Sequence, residues 1–379
     1  MKKILLLLFI LFLGGCYNYK ELNKIGIVSS ISIDKKDNEY LVGAQVMNIK
    51  NKDDTTFSNV IVFESKGKTI EEALRRMTEK SDKKLYGGHL GKLVLSEEVS
   101  KESIIDVIDL FQRLPEIKDE FTITISKNIE ANKVIKIMTS SGSIPADYVK
   151  STIDSADLES ALTYSSKLDE FVSYYLKKYI DPVVSVIEVK NYDDSSMKTS
   201  NKETTYPKTK IILNNIAITH NGKLEKYLNN DETIGYNFIR NNINQMIIPI
   251  KCDKNYASIS ILNSKTKNKV KKIDNKYIIY LNIDVNASIN EYNCVKDLDN
   301  KDTIISLQNK TEKKIKDYIT KVLDIKSNSE FLGLRRFIFL EYPKYNNEEY
   351  EVNTKVNVNI SSTGDIRNSI KGEKNEYKD

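Results

Sequence analysis

Three cysteines and two histidines are the side chains of this 379-residue chain best suited to covalent, metal or acid–base chemistry. Cys16 closes the run Leu13-Gly14-Gly15-Cys16, an aliphatic residue and two small ones ahead of a thiol. That order has the form of a lipobox. Small residues let an extended segment enter a peptidase site, and the sulfur is a nucleophile onto which a diacylglyceryl group can be placed. Cleavage is expected between Gly15 and Cys16, with lipidation at Cys16. Cys252 and Cys294 each lie in or beside a strand-like segment. Two readings stand for them: a disulfide, as an exported protein permits, or two lone buried thiols.

The remaining chemistry is sparse. Gly87-Gly88-His89-Leu90-Gly91-Lys92 suggests a phosphate loop, but Tyr86 and Leu93 stand where that loop needs glycine and Ser or Thr. A Gly-rich entry into a strand, with His89 in a structural hydrogen bond, fits better. Ser264-x-x-Lys267 has the form of a nucleophile motif, without its S-D-N and K-T-G companions. His220 sits beside the Asn221-Gly222 turn, where a solvated histidine is the default. So few histidines and cysteines argue against a zinc enzyme. We therefore expect no catalytic, cofactor-binding or metal residues, no cofactor, and no enzyme activity. Charge adds one exclusion: the formal net charge is +5, or +3 once Lys2 and Lys3 leave with a leader, too balanced to indicate nucleic acid.

Around these residues the chain supplies a leader and folded halves. Met1-Lys2-Lys3 is a short positive region, and Ile4 to Gly15 is unbroken apolar residues and glycine. As a helix that run rises about 18 Å, short of the ~30 Å hydrocarbon core, so residues 1–15 read as an export signal. No later stretch is long and apolar enough to span a membrane. With 40% apolar and 29% charged residues, 22 Tyr, 11 Phe and no Trp, the rest can bury real cores.

Residues 16–190 alternate strand and helix signals. Ile25, Ile27, Ile31 and Ile33 recur with period two, then turn through Lys35-Lys36-Asp37-Asn38 into Tyr40-Leu41-Val42, a hairpin. Thr69 and Glu72 form a capping box before a one-faced helix on Ile70, Ala73, Leu74 and Met77. Strands are expected at Leu93–Leu95, Phe121–Ile125 and Val183–Val189, with helices around Ile104–Phe111 and from Pro145 to Lys178. Asn191 to Lys208 lacks periodicity and reads as a linker or exposed loop. Residues 209–367 open with a hairpin at Ile211–Ile218, followed by a helix after Asn230-Asp231. Strands are then expected at Met246–Ile250, Ala257–Leu262 and Tyr277–Ile289, a long helix at Asp302–Ile325, and a last strand on Val352 to Ile360. Residues 368–379 read as a frayed polar tail. The fold class is α+β: several mixed α/β domains, mixed sheets each covered by helices, the C-terminal half a sheet with one long helix.

The opening Cys16-Tyr17-Asn18-Tyr19-Lys20-Glu21-Leu22-Asn23, followed by Ile25 to Asp34, resembles that of the Ger(x)C family, the C subunits of spore germinant receptors. The resemblance continues at Gly67-Lys68-Thr69-Ile70-Glu71-Glu72-Ala73, Gly88-His89-Leu90 and Arg113-Leu114-Pro115-Glu116-Ile117. It recurs in the Ala217 to Glu232 hairpin, at Ser264-Lys265-Thr266-Lys267, at Phe331-Leu332-Gly333 and at Tyr342-Pro343. Tyr17 stands where Trp is commoner, and Lys344-Tyr345-Asn346-Asn347-Glu348 replaces a basic, Trp-rich run. The resemblance implies a non-catalytic lipoprotein held by acylated Cys16 on the outer face of the spore's inner (cytoplasmic) membrane. It implies assembly with multi-spanning A and B subunits into a receptor that triggers germination on nutrient binding. No small-molecule ligand is assigned to the chain itself. The alternative class is a solute-binding lipoprotein of a transporter, which requires two similar lobes around a cleft.

Overall fold

In the computed structural model, residues 24–47, 60–138, 155, 158–198, 201, 204–252, 254–294, 298 and 300–362 are described. Cys16, its cleavage site and most of the segment 145–157 lie outside them. Strands β1 (Ile25–Lys36) and β2 (Glu39–Met47) form the expected hairpin, with Lys36 opposite Glu39. Its two-residue turn places Asp37 and Asn38 at φ 52° and 62°, the left-handed geometry whose twist suits a tight hairpin. β3 (Val60–Gly67) adds to the far edge of β2. Helix α1 (Ile70–Met77) follows, and the Thr69 hydroxyl accepts the amide of Glu72 at 3.1 Å. The Glu72 carboxylate reaches back one residue further than a strict capping box, accepting the amide of Lys68 at 2.7 Å.

The chain then builds outward from β1. The short β4 (Lys84–Tyr86) and then β5 (Lys92–Ser96) pair parallel to β1. Helices α2 (Glu97–Glu102) and α3 (Ile104–Arg113) cross to β6 (Thr122–Lys127), parallel to β5. After α4 (Ala131–Lys136) and α5 (Leu168–Tyr175), β7 (Val183–Lys190) lies parallel to β6. These parallel strands are buried on both faces, which is why Leu93-Val94-Leu95 reads as continuous apolar sequence rather than alternation.

One expectation is corrected here. The hairpin β8 (Lys210–His220) and β9 (Lys223–Tyr227) belongs to this first sheet, not to the second half: β8 pairs antiparallel with β7. Residues 191–208 leave and re-enter the same sheet edge. The Thr209 hydroxyl closes the excursion, donating to the Asn191 carbonyl at 2.9 Å and accepting the Asp193 amide at 3.2 Å. The result is a nine-stranded mixed sheet ordered β3-β2-β1-β5-β6-β7-β8-β9, with β4 beside β1.

Helix α6 (Asn230–Ile239), capped reciprocally by Asn229 and Glu232, leads to a separate four-stranded sheet. Its order is β10 (Met246–Cys252), β11 (Asn255–Ile273), β12 (Lys276–Tyr292) and β13 (Tyr350–Ser362). The long helix α7 (Lys301–Leu323) covers one face. Leu307, Ile315, Ile319 and Val322 share a core with Ile279, Leu281, Ile283 and Val285 of β12. A second difference lies in β11, which runs eleven residues past Leu262 because it pairs β12 over its whole length. Helix α8 (Leu334–Glu341) precedes Pro343. The architecture is α+β, two mixed sheets each with helical cover. Among the described residues no helix is long and apolar enough to cross a membrane.

Asp34, buried near the end of β1, ties α4 to the sheet by accepting the amides of Ala131 at 2.7 Å and Asn132 at 2.8 Å. Burial outweighs those bonds and pushes its carboxyl up to about 6. The folded chain then binds this proton more tightly than the unfolded one, so the group's stabilising contribution is full below the unfolded value of 3.8 and is lost as pH rises through 6. The stability difference between the parent and Asp34→Asn is expected to move against the parent by about 2–3 kcal/mol between about pH 4 and pH 7. Denaturant titrations at several pH values measure it, and a pH-independent difference refutes it.

Candidate functional site

The sequence segments that carry the family resemblance are far apart in the chain, and the fold gathers three of them around one groove of 560 Å³. Its floor is apolar: Val28 and Ile31 of β1, Ala44 of β2 and Leu85 of β4. One wall is α1, whose Leu74 faces in while Glu71 and Arg75 line the rim as an i,i+4 ion pair at 2.7 Å. The other wall is Leu114-Pro115-Glu116-Ile117, and Lys84 bridges to Glu116 at 2.7 Å across the mouth. Gly87 is required by this packing, since a Cβ there would meet Ile117 at 2.8 Å. The rim charges are paired with one another, so the groove presents an apolar floor with a neutral polar edge.

A second set of those segments meets at the seam between the sheets. Gly333 caps α8 at φ 65°, and a side chain there would strike Arg240 and Ile180. The Arg240 guanidinium donates to the Tyr174 hydroxyl at 3.0 Å and to the Leu332 carbonyl at 3.4 Å. Tyr236 stacks on Phe331 and meets Tyr164 edge-on. Burial raises the pKa of the Tyr164 and Tyr236 hydroxyls well above the ordinary range, so both stay neutral, and Tyr164 donates to Glu170. Nearby, Asp181 accepts the Glu330 amide at 2.8 Å and faces His220 Nδ1 at 3.3 Å. Glu225 of β9 accepts from the Ser327 hydroxyl and the Asn328 amide. The segment between α7 and α8 is thus pinned onto the first sheet through both backbone and side chains.

The residues weighed for catalysis are not brought together. His89 is exposed and packs edge-on against Tyr86, with no hydrogen bond among the described residues in place of the expected one. Gly87 to Gly91 form a turn into β5, in which Leu90 donates to the Gly87 carbonyl and Gly91 to that of Ser29. Ser264 and Lys267 lie three apart in β11, so they project to opposite faces: Ser264 Oγ is buried, and Lys267 is exposed 3.9 Å from Asp284. His220 is not the freely solvated histidine expected, being held by Asp181 and by Asn221, whose Nδ2 lies 3.0 Å from Nε2. Among the described residues no group of three His, Cys, Asp or Glu is placed to hold a metal ion. Cys252, at the end of β10, and Cys294, just past β12, have their sulfurs in bonding contact and their Cα atoms 5.7 Å apart.

Fold and site together define a two-sheet α+β body organised around a groove and a pinned seam. Residues 18–189 match the family model for the spore germination protein N-terminal domain, and residues 214–369 match that for the spore germination B3/GerAC-like C-terminal domain. The chain belongs to the Ger(x)C family, the C-subunit family of spore germinant receptors. It is similar to spore germination protein KC of Bacillus subtilis (strain 168), 24% identical over 99% of this chain and 98% of that one. Spore germination protein GerQC of Bacillus cereus is 22% identical over 96% and 97% of the two chains. The crystal structure of the GerBC protein shares the fold, with a TM-score of 0.51 and 16% identity over 87% of this chain and 96% of that one. The two family models stop and start inside the nine-stranded sheet, in β7 and β8, so this division of the sequence does not coincide with a division between sheets.

Proposed function

We propose that the chain is exported, cut before Cys16, and held by acyl chains on that sulfur at the outer face of the spore's inner membrane. There it acts as the non-catalytic C subunit of a germinant receptor, assembling with multi-spanning A and B subunits to couple nutrient binding to germination. The observation that carries this reading is Leu13-Gly14-Gly15-Cys16 placed directly ahead of Glu21-Leu22-Asn23 and the first strand. Two acyl chains anchor a protein stably where one holds it only marginally. Confinement near the bilayer raises the effective concentration toward membrane partners, so weak interfaces suffice for assembly. Similarity to germination proteins along nearly the full chain supports the same role. The transporter alternative loses ground on its own requirement, because the two sheets differ in strand number and topology rather than forming matched lobes. We assign residues 1–15 as removed on maturation and 368–379 as a terminal tail, with 191–208 an excursion from the first sheet rather than a joint between two units.

Cys16→Ala is expected to move the protein out of the membrane fraction and to slow nutrient-triggered germination. Mass spectrometry of the purified parent chain provides the independent reading, with a start at acylated Cys16 expected. An unmodified start, or full membrane retention of the variant, overturns the anchoring.

A further inference from the structure

A basic cleft lies on the second sheet, far along the chain from Cys16. Between the free edge of β10 and helix α7 is a hollow of 370 Å³, walled by Pro249, Ile250 and Tyr256 on one side and by α7 on the other. Lys251, Lys310 and Lys313 converge on it, and Lys310 Nζ donates to the Lys251 carbonyl at 3.1 Å, drawing helix and strand together. None of the three forms an ion pair with a carboxylate among the described residues. Asp317, the one acidic residue lining the hollow, is already engaged by Lys321 at 2.9 Å and Lys314 at 3.5 Å. A neighbouring hollow of 430 Å³ shares Lys310 and Lys313 and adds Ile305, with Asp302 its one acidic residue.

Large apolar side chains stand exposed here: Tyr256 at 53% of its full surface in the cleft, Ile305 at 51% in the neighbouring hollow, and Ile247 at 61% further along β10. Ile247 and Lys251 share the outward face of β10, and Lys251 is paired directly with Tyr256 of β11. Neighbouring ammonium groups without counter-ions repel one another, and an arriving anion relieves that repulsion. Lysine is a compact point charge on a flexible stem, suited to phosphates of variable position rather than to one fixed bidentate partner. Exposed Ile beside Tyr and Lys is the mixture that seats at the boundary between headgroups and acyl chains. A soluble phosphate would account for the lysines but not for the exposed apolar side chains.

We propose that the β10 edge and the adjoining face of α7 dock onto a bilayer surface containing anionic phospholipid. The contact uses no atom of Cys16 and rests on the anchored reading above: the acyl chains hold the body at the membrane, and the lysines orient it there.

The test compares full chains with identical N-termini on phosphatidylcholine vesicles with and without phosphatidylglycerol. The parent is expected to gain affinity on the anionic vesicles, and the gain to shrink as salt is raised. At about 1 kcal/mol per lysine near a charged surface, removing three positive charges costs roughly 100-fold, so combining Lys251→Glu, Lys310→Glu and Lys313→Glu, which also adds three negative ones, is expected to abolish the gain. The same three positions changed to Ala are expected to lose most of it, which guards against a folding defect in the Glu variant. Lys269→Glu, Lys271→Glu and Lys355→Glu together make the same change of charge on strands remote from the cleft, and are expected to leave the gain intact. Equal parental binding to both vesicles overturns the proposal, as does equal loss in the remote variant. So does abolition of the gain by dilute inorganic phosphate, which would mark a soluble-anion site.

Discussion

Replacing Gly235 with alanine is expected to destabilise the protein by about 3 kcal/mol, the upper end of the range for overpacking. On helix propensity alone the change should help, because alanine is favoured over glycine in a helix interior by roughly 1 kcal/mol. The site reverses the sign. Gly235 lies on the face of α6 that meets α7, and a Cβ there would stand 2.2 Å from the Tyr318 carbonyl oxygen and 3.0 Å from Val322 Cγ1. A carbonyl in the middle of a hydrogen-bonded helix cannot rotate aside, so α6 and α7 must separate along their contact. That separation opens the core beneath Ile315, Ile319 and Val322 and slackens the Thr266 hydroxyl's bond to the Phe238 carbonyl, 2.6 Å. Gly91 supplies the contrast: a Cβ there meets only the Ser29 carbonyl at 3.6 Å, so Gly91→Ala is expected to stay within about 0.5 kcal/mol of the parent. Val322→Ala is expected not to rescue Gly235→Ala, because the obstacle is backbone. Denaturant unfolding of the three variants decides the matter, and a Gly235→Ala chain as stable as the parent disproves the close approach.

What local sequence could report, it reported. The β1–β2 hairpin is announced by alternating isoleucines and an Asp-Asn turn, α1 by its cap, and α7 by a stripe of apolar residues at helical spacing. Each of these depends on neighbours within a few positions. The second half of β11 does not. Past the bulge between Ile261 and Asn263, the positions that alternate onto the face of Val270 are Ser264, Thr266 and Asn268, so Val270 is the one buried apolar residue to mark it. Its extended form is fixed by eleven residues of β12 opposite, from Lys276 to Asn286, a tertiary cause that no window along β11 displays. Sheet membership of β8 and β9 is similar. The hairpin itself is local, but its pairing to β7 is made across the polar excursion at 191–208.

The groove shows the same limit at the level of function. Thr69 to Ala73, Gly87 to Leu90 and Leu114 to Ile117 each stand out in the sequence, yet nothing in them says that they face one another. Their meeting depends on β4 and β5 returning parallel to β1, which carries the Gly87 turn and the Pro115 loop to the side of the sheet held by α1. The seam was still less visible. Arg240 follows a helix by one residue and its partners come from α5 and from the Leu332 loop, 66 and 92 positions away.

Breaking the link between Cys252 and Cys294 is expected to cost about 4 kcal/mol, if the mature chain carries it as the disulfide we propose. The two residues are 42 positions apart, and a cross-link closing a loop of that size removes about this much free energy of chain freedom from the unfolded state. In the folded state little should change, because the ends are already held: Cys252 is paired with Asn255, and the Asn255 side-chain amide donates to the Asn293 carbonyl at 2.7 Å. The loss should therefore fall on the four-stranded sheet, whose β10, β11 and β12 the loop ties together, and leave the nine-stranded sheet unaffected. Hydrogen exchange read strand by strand separates these outcomes. Reductant is expected to speed exchange in β10 to β12 of the parent and to have no effect on the Cys252→Ser/Cys294→Ser chain, which should match the reduced parent. The same bond reports on compartment, since a disulfide persists where export has carried the chain beyond the reducing cytosol. Protein taken from spores, unfolded and alkylated before any reduction, should leave both cysteines unlabelled. Labelling of both thiols would refute the cross-link and weaken, with it, the placement of this body outside the membrane.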